Sequence, residues 1–227
     1  MSIKEVVTDG HLEIAALMKN KDKYKDVKHQ NDIWHGGKSL AKKINLAART
    51  KGNSDLELWA PSVRNHFWYC AKNCNKEVKS MKDKWIGLLH HVANEHEWVL
   101  EEGENGAKCD HDPLQTDEDR DKPWLKKGSS AHKALAKIIL DKRFLNTFKY
   151  YTHFRHTGFL ESFHNHILMY AAKRQSYSFI GYRVRNQLAA LDFNHHRGRA
   201  VATTADGQPR MERKFSKRTK QWCAVKV

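Results

Sequence analysis

Only two stretches of the 227-residue chain read as β-strands, and both lie within the first 35 residues. Residues 2–8 (SIKEVVT) hold a β-branched run, and residues 29–35 (HQNDIWH) form a second, shorter candidate. Two strands do not make a stable sheet unless they pack on something else. The chain beyond them is dominated by helical periodicity. The expectation is therefore an α+β fold, mostly helical, with two short N-terminal strands resting on helices that include residues 158–173.

The Asp9-Gly10 turn is followed by HLEIAALMKN, where Leu12, Ala15 and Ala16 recur at helical spacing. Gly36-Gly37 are expected to break the second strand, ahead of an amphipathic helix in KSLAKKINLAART that ends near Gly52. Two long helices are expected, at about 54–74 (Trp59, Val63, Phe67, Cys70) and about 76–98 (Val78, Met81, Trp85, Leu88). Residues 101–123 are acidic and turn-rich, which predicts an exposed loop. Ser129-Ser130 are N-cap candidates for a helix through Leu145 or Phe148. Residues 158–173 and 178–193 are helical in pattern. The last 31 residues are basic and mostly aperiodic, and are expected to form a tail or loosely docked arm.

Charge is unevenly placed. The chain has 41 Lys and Arg against 26 Asp and Glu, a net of +15. Residues 1–125 hold 20 basic and 21 acidic side chains, whereas residues 126–227 hold 21 basic and only five acidic. A surplus confined to one half points to a polyanion partner, most often nucleic acid. The candidate phosphate contacts are Lys173, Arg174, Arg183, Arg185, Arg197, Arg199, Arg210 and Arg213. No apolar run approaches the ~18 residues of a membrane span, so no membrane partner is expected. The opening MSIKEVVTDG has no signal-peptide architecture, so the four cysteines are expected as thiols, free or on a metal. The basic patch RMERKFSKRTK (210–220) suggests a nuclear location.

Two kinds of metal site can be read from the residues. Asp9 lies where a strand gives way to a helix, and Glu161 is one of few acids in the basic half, with Asn165 one turn on. Together they resemble two members of a carboxylate triad holding Mg²⁺ or Mn²⁺ for phosphoryl transfer. Cys70-x3-Cys74 and His91-x4-His96 offer two thiols and two imidazoles, a donor set that suits Zn²⁺. His90 could stand in for His91, and Cys109-x-His111 is a second candidate pair. Asp32-x2-His35 is a third constellation, read alone as a turn with His35 capping the next helix.

In this order the pieces resemble the C-terminal part of the catalytic domain of DDE/DDD-type eukaryotic cut-and-paste transposases, with the Asp-x2-His form similar to Kolobok-type enzymes. VVTDGHLEIAALM, VKHQNDIWHGGKSLAKKI, HFWYCAKNC, WIGLLHHVANEHEW, HTGFLESFHN and RNQLAALDFNHH carry the resemblance, which covers roughly residues 3–225. It implies a partial RNase H-like core at 1–50, a helical insertion at 51–150, a return to the core at 151–196 and a basic tail at 197–227. It makes Asp9 and Glu161 the second and third catalytic carboxylates and Asp32 and His35 an auxiliary motif. The first catalytic Asp, expected tens of residues before Asp9, is absent, so strand cleavage by this chain alone is not expected. DNA is the implied partner, with self-association or the remaining N-terminal part of a transposase beside it. A nucleic-acid-binding module without catalysis, or a zinc-braced protein-interaction module, is the alternative.

Overall fold

The computed structural model describes residues 2–98, 107–111, 122–216 and 220–226. Most of the acidic loop expected at 101–123 lies outside the described residues. The chain divides into two compact units, Met1–Thr157 and Gly158–Val227.

In the first unit, β1 (Glu5–Thr8) and β2 (Lys28–Asn31) pair in parallel, from Glu5 opposite Lys28 to Thr8 opposite Asn31. Between them run α1 (Leu12–Leu17) and α2 (Lys21–Tyr24). Gly10, at φ +87°, makes the turn after Asp9. So small a sheet needs an anchor, and the segment ahead of the second unit supplies it. Buried Gln30 donates to the Lys149 carbonyl (3.2 Å) and accepts from the His153 N–H (3.1 Å). Glu5 takes His153 Nδ1 at 2.7 Å and the Arg155 guanidinium at 2.7 and 2.9 Å.

The second strand stops four residues earlier than its sequence suggests. Asp32 caps α3 (Ile33–Ala48) by accepting from the His35 N–H at 2.9 Å, so His35 is helical. Gly36 and Gly37 do not break the chain; they lie buried inside α3. Glycine costs about 1 kcal/mol against alanine in a helix, and here close approach offsets that. A Cβ at Gly36 would sit 2.8 Å from the Tyr151 hydroxyl, and one at Gly37 2.6 Å from Trp68 Nε1. Trp68 Nε1 donates to the Ile33 carbonyl at 3.1 Å, which fixes that approach.

Asp32 does more than cap. It is buried, and its second oxygen accepts from the Thr157 hydroxyl (2.5 Å) and the Thr157 N–H (2.6 Å). Ile33 N–H adds a bond to the Arg155 carbonyl at 2.9 Å. Burial pushes the Asp32 carboxyl up, but the Thr157 hydroxyl and the N–H groups of His35 and Thr157 outweigh it and hold the group below its ordinary value.

The long helix α4 (Asp55–Lys72) sends Leu56, Trp59, Val63, Phe67 and Cys70 into the core. The expected 76–98 helix is instead α5 (Val78–Ile86), the short α6 (Leu88–His91), and then β3 (Glu97–Trp98) paired antiparallel with β4 (Ala107–Lys108). The helix expected at 129–149 is split. α7 (Ser130–Ile139) is capped by Ser129, and α8 (Lys142–Asn146) starts afresh on the Asp141 carboxylate, with a 3-10 turn at Phe148–Tyr150. Phe67 sits at the centre, within 5.1–6.0 Å of the rings of Trp85, Phe144, Phe148 and Tyr151. Trp85 is fully buried yet satisfied, its Nε1 donating to the Ile139 carbonyl at 3.0 Å.

In the second unit, α9 (Gly158–Tyr170) and α10 (Phe179–His196) form an α-hairpin. Phe163 packs on Phe193, and Asp192 bridges His166 (2.8 Å) and His196 (2.9 Å). The expected C-terminal tail is instead an antiparallel ribbon, β5 (Met211–Ser216) and β6 (Gln221–Lys226), with Phe215 facing Trp222 across the strands. Neither MERKFS nor QWCAVK alternates in polarity, and both strands are almost wholly exposed, so period-two patterning gave no signal for them.

Two outcomes test this packing. Asp32→Asn should destabilise the protein by about 1–3 kcal/mol in urea unfolding, because it disturbs three bonds to a buried carboxylate. A carboxyl lowered in the folded state stabilises above its unfolded pKa and loses that contribution as pH falls through the folded value. The wild-type advantage over Asp32→Asn should accordingly shrink on the acid side. Phe67→Ala should cost about 3–5 kcal/mol in the same measurement.

Candidate metal centre

Four side chains of the first unit converge at one place. One ligand atom from each of His91, His96, Cys109 and His111 lies within 4.8 Å of the other three. His91 closes α6, and the chain then turns through Asn94, whose φ of +62° is left-handed, to bring His96 back beside it. Glu95 steadies that turn by pairing with His90 (2.9 Å) and Lys127 (2.6 Å). Cys109 N–H donates to the His96 carbonyl at 2.9 Å, extending the β3–β4 pairing and carrying Cys109 and His111 into the cluster.

The spacing suits a metal. Tetrahedral Zn²⁺ with bonds of about 2.0–2.1 Å to nitrogen and 2.3 Å to sulfur sets ligand atoms roughly 3.3–3.6 Å apart. His91 Nδ1 lies 3.3 Å from His111 Nε2 and 3.5 Å from Cys109 Sγ. Trp124 packs edge-on to His91 and His96, and Trp59 edge-on to His91. These indoles give the cluster an apolar collar and fix the ring orientations. Burial, with the neighbouring Asp110 carboxylate, raises the Cys109 thiol.

The cluster keeps His91 and His96 and replaces both expected cysteines. Cys70 and Cys74 are fully buried in the hydrophobic core. Burial pushes the Cys70 thiol up to about 12, and its sulfur lies 3.3 Å from His66 Nε2. Cys74 donates to the Ala71 and Thr152 carbonyls. The reason is helical geometry. Cys70 lies on the core stripe of α4 and Cys74 two residues past its end, both turned into the core, whereas His91 closes α6 and His96 follows it, where the chain has left the helix. Cys109-x-His111 was legible as a pair, but only the pairing of β3 with β4 shows which histidines it meets.

The carboxylates fall in different units. Asp9 is exposed after β1 and borders a cavity of about 240 Å³ that His35 and Asn31 also line. Glu161 is exposed in the first turn of α9. Asp32 is spent on the Thr157 clamp. Lys173, Arg174, Arg183, Arg185, Arg197, Arg199, Arg210 and Arg213 are all exposed on the second unit.

Fold and cluster together define a helix-rich α+β protein that could hold a metal ion through three imidazoles and one thiolate. No protein-family model, no curated protein and no solved structure matches the chain. No described helix is long and apolar enough to cross a membrane.

Metal content separates the two cysteine pairs. By elemental analysis after gel filtration, Cys109→Ala and His111→Ala should each lower bound metal by at least roughly tenfold at a fixed free-ion level. Cys70→Ala and Cys74→Ala should leave it unchanged while lowering the melting temperature.

Proposed function

We propose that the chain is a transposase-derived DNA-binding protein, part of a metal-dependent strand-transfer catalytic domain, and that it acts in the nucleus. The observation that carries this reading is the charge of the second unit. Residues 158–227 hold 13 Lys and Arg against four Asp and Glu. Among the described residues, none of the eight cations named above is ion-paired with a carboxylate. Their charges are therefore available to phosphate. Arg185 and Arg197 lie over the Tyr177 and Phe159 rings, which steadies the guanidinium groups at the surface.

In this reading the four-residue cluster takes Zn²⁺. Thiolate and imidazole suit that ion, and four protein ligands leave no open position, so the metal braces the first unit rather than reacting. By the transposase resemblance, Asp9 and Glu161 would each be a ligand of Mg²⁺ or Mn²⁺ in an intact catalytic domain. Both carboxylates are exposed, and among the described residues neither is ion-paired, which leaves them open to a cation. In such an intact enzyme the ion would supply an activated oxygen nucleophile at a phosphodiester; without the first carboxylate, this chain alone is expected to be inactive. The basic surface would position the DNA backbone and give binding that is salt-dependent and weakly selective for sequence.

Fluorescence anisotropy with a labelled DNA duplex tests the reading. Affinity should fall steeply as salt rises, and Arg183→Ala with Arg185→Ala should lower the slope of log K against log salt by about 1–2. Supercoiled plasmid with Mg²⁺ or Mn²⁺ probes the chemistry: any nicking should vanish in both Asp9→Asn and Glu161→Gln. Absence of DNA binding at physiological salt would favour the second reading, a protein-interaction module braced by the metal cluster.

A further inference from the structure

A cleft of about 610 Å³ lies in the first unit, beside the metal cluster. Its floor is one stripe of α4: Trp59, Ser62, His66 and Tyr69. These alternate around the helix with Leu56, Val63, Phe67 and Cys70, which face the core. The opposite wall comes from α5 and α6 through Lys84, Gly87 and His91, and the roof from Trp98 and residues 108–111. One long helix therefore carries a core face and, beside it, a mixed aromatic and polar stripe, with buried Trp59 belonging to both.

The walls are held in place before any ligand arrives. Trp98 stacks flat on His90, 5.0 Å between centroids and 2° from parallel. It also lies against Gly87, where a Cβ would come within 2.5 Å of the indole, so a larger residue there would displace it. Asp110 accepts from the Tyr69 hydroxyl (2.6 Å) and from Lys84 (2.7 Å), tying floor, wall and roof together. His66 Nε2 lies 2.9 Å from the Lys84 carbonyl, and its ring lies near parallel to those of Tyr69 and Trp85, each 6.0 Å away between centroids. At the rim, Asp83 and Lys108 are exposed, and among the described residues neither is ion-paired.

A preformed, mostly apolar cleft of this size with a few polar groups at its edge is the usual form of a small-molecule site. Aromatic floor and roof select for a flat partner, since ring faces and edges pack best against other rings. We propose that this cleft binds a small molecule built on a flat aromatic ring system, its ring against Trp98 and the α4 aromatics and its polar edge at Lys108. The position of the roof rests on the metal reading, because Cys109 and His111 belong to both.

The probe is anilinonaphthalene sulfonate, titrated into the full metal-loaded chain by fluorescence. The expected result is saturable binding of one equivalent. Asn65→Trp, which fills the cleft from an exposed position on α4, should weaken it by at least roughly tenfold, with melting temperature and metal content unchanged. Lys108→Glu, at the rim, should weaken it as well, and it keeps the test valid should Asn65→Trp fold poorly. Binding that does not saturate, or that ignores both substitutions, overturns the proposal. Metal content measured on the same samples keeps the two readings apart. A metal-loaded chain that does not bind the dye overturns the cleft alone. A chain that takes up no metal but binds the dye with the expected response to both variants overturns the metal reading and supports the cleft.

Discussion

Phe67 is the residue on which the first unit turns. Its ring touches partners from α5, α8 and the 3-10 turn, and Tyr151 beyond them. None of those elements is long enough to be stable alone: isolated helices below about 12–15 residues are marginal in water. They persist because each covers one side of a shared aromatic centre. Tyr151 then passes the constraint on to α3, where only a glycine at position 36 allows it room. The two parallel strands come last in this chain of dependence, hung from Gln30 and Glu5 on the segment between Tyr151 and Thr157.

The same core accounts for the metal cluster. With Cys70 and Cys74 inside, the donors left near α6 are His91, His96 and the pair that follows β4, Cys109 and His111. β3 and β4 are two residues each, too short to hold a hairpin in place by backbone bonds. A metal linking α6 to that hairpin would supply the missing tie, and Asp110 lies between two of its ligands. Through Asp110 the tie reaches Tyr69 and Lys84, and so the shape of the neighbouring cleft. Core, metal cluster and cleft are successive layers laid against α4.

The second unit is built differently. α9 buries no residue completely and α10 only Ala189, and Phe179, Ile180 and Leu191 stand open among arginines. Its helices are joined through Phe163 on Phe193 and the His166–Asp192 bridge. Charge, rather than a core, is the dominant property of this unit, which is why its proposed role is to meet a polyanion.

The sequence by itself determined the early strands, the α+β character, the core stripe of α4 and the basic C-terminal half. Each is a periodicity or a composition, and these are local. It also offered both pairs of the metal cluster, His91 with His96 and Cys109 with His111, but joined the histidines to Cys70 and Cys74, since spacing along a chain cannot say which pairs the fold brings together. The glycines of α3 read as a break because their reason, the rings of Tyr151 and Trp68, lies over 30 residues away. The Asp-x2-His motif read as a turn or an auxiliary site. That its aspartate would clamp Thr157 was decided 125 residues downstream, by a buried carboxylate taking the donors that could reach it.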